Sequence, residues 1–261
     1  MNSKNLNITT IGAGNLASHL TMALLGHGHT IDCVFSRNIH KATTLSRKCN
    51  AFAVSQIADL PLNSDIYFIC ISDDAIEEVA KKLPLVRGLI VHTSGSQPMD
   101  VLSGFSKRGV FYPLQSFSES READFSHIPI CIESSTEDDL QLLLKLAGTM
   151  SSDVRQINSL QRKHIHLAAV FACNFSNYMY SIANDILKAD GISFDILNPL
   201  ILECASKALD LNPREAQTGP AKRNDQNIIQ HHLELLNNLP DYREIYEILS
   251  RQIKDNFHTK T

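Results

Sequence analysis

The chain has no tryptophan, and neither sign of charge dominates its 261 residues. There are 24 lysines and arginines against 28 acids, a net of −4. No basic stripe or charge block stands out, which argues against a nucleic-acid surface. The short clusters Arg47-Lys48 and Lys81-Lys82 read as solvated helix faces. The six cysteines, Cys33, Cys49, Cys70, Cys131, Cys173 and Cys204, include no C-x-x-C pair. Four of them fall in apolar runs, where cysteine behaves as a small hydrophobe. This suits a reducing cytoplasm better than a disulfide framework. Histidines come in close pairs, His27 and His29, His164 and His166, His231 and His232. None has the i, i+4 spacing of a two-histidine metal site, and no cysteine set accompanies them. No uninterrupted apolar run is long enough to span a bilayer, and the polar stretch from Met1 to Asn7 lacks the pattern of a signal peptide. The expected setting is the cytoplasm, with no membrane, nucleic-acid or metal partner.

What the sequence does hold is a hydrophobic fraction of 43%, ample for a packed core. The first ~150 residues alternate short apolar runs with amphipathic ones, as parallel βαβ units do. Strands are expected at Ile8–Ile11, Ile31–Phe35, Ala51–Val54, Asp65–Ile71, Leu89–Val91, Gly109–Tyr112, Ile128–Ile132 and Val154–Ile157. The nearly all-apolar run at 65–71 resembles a central strand covered on both faces. Helices are expected at Asn15–Leu25, Asn38–Lys48, Asp73–Leu83 and Thr136–Met150. After residue 156 only helices are predicted: Leu160–Leu187, Ile196–Leu211, Ile228–Asn237 and Tyr242–Phe257. The fold class is therefore α/β, a Rossmann-type mostly parallel sheet at 1–156 followed by an all-α domain at 157–261.

The segment from Ile8 to Ala17 reads as strand, G-x-G-x-x-A turn and helix start. Gly12 would allow the tight turn, and Gly14 would let a pyrophosphate approach the backbone. The small Ala17 would let helix and strand pack closely. The pyrophosphate would sit on the helix N-terminus, near Ala13, Asn15 and Leu16, where free N–H groups favour anions. The second strand ends Phe35-Ser36-Arg37-Asn38, without the acid that binds the ribose 2′-hydroxyl of NAD. Arg37 can pair with a 2′-phosphate through its fork of donors, and Ser36 can add a hydroxyl. The cofactor expected is NADP. The segments Ser72-Asp73-Asp74 and His92-Thr93-Ser94-Gly95-Ser96 follow two further strands, where ligands of open α/β sheets bind. Ser72 and Ser94 are candidate cofactor contacts there. His92 is either a functional group or a strand-end histidine bonded to backbone.

The predicted helix Leu160–Leu187 has neither proline nor glycine and is apolar around much of its circumference, as in a buried helix. At about 100° per residue, Lys163, His166, Asn174, Asn177, Ser181 and Asn184 fall within roughly an 80° arc. Such a stripe marks a wet cleft or a polar helix contact, and its N-terminal half is the better catalytic candidate. Further on, Thr218-Gly219-Pro220-Ala221-Lys222-Arg223-Asn224-Asp225 interrupts two helices. It could present Arg223 and Asp225 to a cleft, or Asn224 or Asp225 could cap a helix.

Together these segments resemble the bacterial NADP oxidoreductases that join a Rossmann-like domain to a C-terminal helical domain of uncharacterised function. Pyrroline-5-carboxylate reductase, ketopantoate reductase and the 6-phosphogluconate dehydrogenase group are similar more distantly. The resemblance is carried by Ile11-Gly12-Ala13-Gly14-Asn15-Leu16-Ala17, by the run from Val91 to Ser96, by Tyr112-Pro113-Leu114-Gln115-Ser116-Phe117, by the run from His166 to Phe175, and by the run from Thr218 to Asp225. Two positions depart from relatives: Tyr112 stands where many have histidine, and Val170 stands four before Asn174 where the wider group often has lysine. Asn224 also replaces a common glycine. The resemblance implies a homodimer formed through the helical domain.

Two functions follow from the sequence. In one, NADPH donates hydride to a carbonyl or imine carbon of a small metabolite. His166 or Lys163 would then be the proton donor, Asn174 would orient the substrate, and Arg223 would hold its carboxylate. In the other, the protein is a non-catalytic NADP(H)-binding sensor.

Overall fold

The computed structural model describes residues 5–258; residues 1–4, most of the polar lead-in, and 259–261 lie outside the described residues. Eight strands make one sheet: β1 (Asn7–Ile11), β2 (Thr30–Phe35), β3 (Phe52–Val54), β4 (Ile66–Ile69), β5 (Leu89–His92), β6 (Arg108–Pro113), β7 (Ile130–Ser134) and β8 (Val154–Gln156). Their spatial order is β3-β2-β1-β4-β5-β6-β7-β8. Every neighbouring pair is parallel except β6 with β7, where Tyr112 lies opposite Cys131. Helices α1 (Asn15–Gly26), α2 (Ile39–Cys49), α3 (Asp73–Lys82) and α4 (Glu137–Met150) complete this Rossmann-type layer structure.

The chain runs outward from β1 through β2 to β3, then returns to place β4 on the other side of β1. That reversal is the crevice in which open α/β sheets bind ligands, at the carboxyl ends of the strands. β4 is buried along its whole length, as its continuous apolar run requires. Apolar side chains fill two clusters, one around Ile8, Leu20, Phe68 and Phe111 and one around Ile11, Tyr67, Ile69 and Ile90. Alternation along β1 and β4 sends successive residues to opposite clusters. A buried hydroxyl pair, Thr10 and Thr21 at 2.9 Å, fastens α1 to β1.

The chain divides into two compact units, Met1–Cys173 and Asn174–Thr261. The break expected near residue 156 follows the last strand, but the next helix, α5 (Ser159–Ala169), stays with the first unit. The reason is Arg162, a fully buried arginine whose guanidinium is bonded to Glu133, to Ser159 and to the carbonyls of Ser94 and Gln97. The second unit holds α6 (Ser176–Ala189), α7 (Asn198–Asp210), the single turns α8 (Pro213–Ala216) and α9 (Pro220–Arg223), α10 (Gln226–Leu235) and α11 (Pro240–His258). No helix among the described residues is long and apolar enough to cross a membrane.

The expected helix Leu160–Leu187 needs two corrections. It is not uniform: a π-helical turn, Val170–Phe175, separates α5 from α6. Nor is it buried within the chain, since Leu160, Leu167, Phe171 and Phe175 are 65%, 56%, 63% and 48% exposed. A π turn winds more residues per turn than an α-helix, so the angular register is not carried across it. The stripe from Lys163 to Asn184 therefore splits between His166 and Asn174.

Candidate functional site

The crevice beside β1 opens into a cavity of about 760 Å³. Gly12, Ala13, Gly14, Asn15 and Leu16 line it, with Ser36 and Arg37 from the end of β2 and Ser72 from the end of β4. Eight of the nine expected cofactor contacts thus share one cavity. The ninth, Ser94, does not line it. Its hydroxyl is occupied in its own loop, accepting from the Ser96 and Gln97 N–H groups at 3.1 and 3.0 Å.

The two glycines of the turn differ in kind. Gly12 has φ +128°, and a Cβ there would meet the Cys70 carbonyl oxygen at 2.1 Å. It is required by the neighbouring strand. Gly14 has nothing within 4 Å of a Cβ position, so a side chain there would fill open cavity instead. Gly14 also begins α1 without a side-chain cap, and no acid stands in the first turn. The first N–H groups of a helix have no partner within it, and they carry the positive end of its dipole. This is a cradle of the right shape and sign for a pyrophosphate.

The far rim of the cavity is cationic. Arg37, Lys41 and Lys82 line it together with Glu78. Lys82 is paired with Glu78 at 2.6 Å, and that contact, with a smaller contribution from Arg37, holds the Glu78 carboxyl below its usual range. Arg37 and Lys41 are exposed and make no ion pair among the described residues. Asp32, the acid of β2, is turned to other use, accepting from Ser64 Oγ at 2.6 Å. It leaves the β2 end free of negative charge. The cavity therefore fits a dinucleotide carrying a 2′-phosphate. Lys41 escaped the sequence reading because only helical spacing from Arg37 could have suggested it.

A second group of side chains gathers at the ends of β5 and β6. Tyr112 Oη lies 3.2 Å from His166 Nδ1, with the rings edge to face. Gly95 packs against both; a Cβ on it would stand 2.7 Å from His166 Nδ1 and 2.8 Å from Tyr112 Cζ. Ser96 Oγ donates to Asp73. His92 is fully buried, and its Nδ1 accepts from the Ser94 N–H at 3.2 Å. Burial, reinforced by the Arg162 charge, lowers its pKa to about 4. His92 is thus a neutral group inside the loop, the backbone-bonded alternative of the sequence reading. Lys163, the residue after the buried Arg162, is exposed.

In the second unit Asn174 is exposed. Arg223 is exposed at the end of α9, and its side chain makes no hydrogen bond or ion pair among the described residues. Asp225 caps α10 by accepting from the Ile228 N–H at 3.3 Å, so it does not present its carboxylate freely. Asn224, with φ +57°, ends α9 in the left-handed conformation that glycine adopts most readily.

Comparison with known proteins agrees with this architecture. A family model described as NADP oxidoreductase, coenzyme F420-dependent, matches residues 7–94, and a domain of unknown function (DUF2520) matches residues 128–253. No curated protein matches the chain. An imine reductase from Myxococcus stipitatus, solved with NADP+, has a TM-score of 0.71 at 17% identity, over 95% of this chain and 93% of that one. A protein from Thermotoga maritima has a TM-score of 0.77 at 24% identity, over 95% and 99%. These two share the fold. A "putative NADP oxidoreductase" from Bacteroides fragilis is 41% identical over 96% of this chain and 98% of that one, with a TM-score of 0.90. On that identity and coverage, the chain belongs to the same oxidoreductase family as the Bacteroides protein.

Proposed function

We propose that the protein transfers a hydride between NADP(H) and a carbonyl or imine carbon of a small metabolite. The observation that carries this reading is one cavity that combines the open cradle at Gly14 with the acid-free end of β2, where Ser36 and Arg37 stand with Lys41. The relatives described by NADP support the same cofactor. When bound, the nicotinamide supplies the hydride. The chain's own residues must then hold the substrate and manage a proton. His166 is the preferred donor, with Lys163 the other candidate on α5. Asn174 would orient the substrate and Arg223 would take a carboxylate in bidentate fashion. His92, sealed and neutral, positions the loop and does not meet the substrate.

A homodimer is part of the proposal. Among the described residues of the second unit only Ala221 and Leu236 are buried, while Leu200, Leu202, Leu209 and Leu235 are 64%, 71%, 88% and 68% exposed. So much apolar surface is the mark of an interface, and we assign a second copy of the chain to it. Sedimentation as a monomer at micromolar concentration would count against this. The thiols of Cys33, Cys49, Cys70 and Cys131 are free and buried, which suits a cytoplasmic setting.

The deciding experiment is a titration with NADPH and then NADH, followed by reduced-nicotinamide fluorescence against a chain without tryptophan. NADPH should bind much more tightly, and Arg37→Ala should weaken it by about 10- to 100-fold, as expected for lost hydrogen bonds to a charged group. Equal affinities would overturn the 2′-phosphate assignment, and no binding of either would overturn the oxidoreductase reading. Turnover can then be sought among 2-oxo acids, aldehydes and cyclic imines. A His166→Ala variant as fast as the parent would remove His166 from the mechanism.

A further inference from the structure

We infer that Tyr112 is a positioning residue that fixes the ring and the tautomer of His166, so that the imidazole offers its Nε2–H outward. The significance of this for catalysis rests on the proposed role of His166; the hydrogen-bonded state itself does not depend on it.

Three elements converge to hold the imidazole. β6 brings Tyr112, whose hydroxyl lies 3.2 Å from Nδ1. The loop after β5 brings Gly95, whose backbone leaves no room for a Cβ between the two rings. α5 carries His166 itself and, four residues earlier, Arg162. Arg162 Nε donates to the Ser94 carbonyl at 3.1 Å and Nη2 donates to the Gln97 carbonyl at 2.6 Å. The arginine is fully buried and its other contacts are Glu133, at 2.5 Å, and Ser159. The same side chain therefore fixes the Gly95 loop at both ends and anchors the helix that carries the histidine.

The direction of the Tyr112–His166 bond follows from counting protons. The Tyr112 hydroxyl makes no other hydrogen bond among the described residues. A phenol has one proton to give, and leaving it without an acceptor in a partly buried site is costly. His166 Nδ1 is the acceptor within reach. The proton of the neutral imidazole must then reside on Nε2. Burial pushes the Tyr112 phenol up to about 12, so it stays a donor at physiological pH. No hydrogen bond of Nε2 is present among the described residues, which leaves that edge available to a ligand oxygen or nitrogen. A histidine at position 112 would hold His166 through a different donor; tyrosine supplies one that cannot become a cation.

The test is the ring-nitrogen NMR spectrum of the full-length protein labelled with 15N-histidine, recorded without cofactor at a pH where imidazoles are neutral. His166→Gln identifies the signals. The wild type should show a pyridine-type Nδ1 and a pyrrole-type Nε2 at His166. Tyr112→Phe should move both signals toward the mixed-tautomer average. A pyrrole-type Nδ1 in the wild type would overturn the inference, as would signals unchanged by Tyr112→Phe. If that variant does not fold, uniform fluorotyrosine labelling of the wild type makes every phenol a stronger donor. A shift of the His166 Nδ1 signal then supports the inference, and its absence overturns it. The NADPH titration is separate, so loss of the cofactor reading and loss of this one are distinguishable.

Discussion

His92 provides the sharpest test of the electrostatics around the site. The residue is 0% exposed at the end of β5, and burial with the nearby Arg162 charge lowers its pKa from 6.5 to about 4. The folded protein therefore holds His92 neutral where the unfolded chain would bind a proton. Between those two pKa values the unfolded state carries more protons, so stability rises with pH there. The contribution is fully present at pH 7 and is lost as the pH falls from about 6.5 toward about 4. One pKa unit corresponds to ~1.4 kcal/mol, so lowering the pH from 7 to 5 should cost about 2 kcal/mol through this group alone. His29 is also buried with a lowered pKa, so the wild-type slope contains more than one histidine. Comparison with His92→Asn isolates the term. Asparagine keeps an oxygen to accept the Ser94 N–H but does not titrate. Urea unfolding at pH 7 and pH 5, for parent and variant, measures it. The variant should lose about 2 kcal/mol less on acidification than the parent. Equal losses would show that His92 is protonated in the folded state, and with that the sealed, positioning role would fall.

The two glycines of the nucleotide turn should respond oppositely to alanine. Gly12→Ala forces a Cβ onto the Cys70 carbonyl at a positive φ, and should destabilise by about 3 kcal/mol or more, read by urea unfolding. Gly14→Ala meets nothing, so it should unfold within about 0.5 kcal/mol of the parent. The same variant should lose at least about tenfold in NADPH affinity, because its methyl occupies the pyrophosphate cradle; parental affinity would place the pyrophosphate elsewhere. Arg162→Met strands Glu133 and two loop carbonyls. It should cost about 3 kcal/mol, the low end for a broken buried pair because Glu133 is 16% exposed, and lower the melting temperature by roughly 6–12 °C. A melting temperature unchanged from the parent would show that Arg162 does not hold the loop.

The parts of this molecule legible in its sequence are those set by neighbours in the chain. The run at 65–71 announced a central strand because a strand buried on both faces must be apolar throughout. Gly12 and Gly14 announced a nucleotide turn because the strand, turn and helix that give them meaning are contiguous. The acid-free end of β2 was readable for the same reason. What could not be read was set by distant segments. The polar stripe from Lys163 to Asn184 assumed one helical pitch, and nothing in the composition of Val170–Phe175 signals the π turn that breaks it. Arg162 looked like any arginine on a helix, since its burial depends on Glu133 and on the loop at Ser94 and Gln97, far away in sequence. His92 stood out by type, and only packing could decide between its two roles. Three of the segments that carry the family resemblance, from Val91 to Ser96, from Tyr112 to Phe117 and from His166 to Phe175, appear in the sequence as unrelated patches. The fold makes one cluster of them. Gly95 comes from the first, Tyr112 from the second and His166 from the third, and the glycine is needed because the other two rings meet there. A substitution at Gly95, Tyr112 or His166 therefore acts on the other two, and the imidazole is the group through which that coupling would reach a substrate.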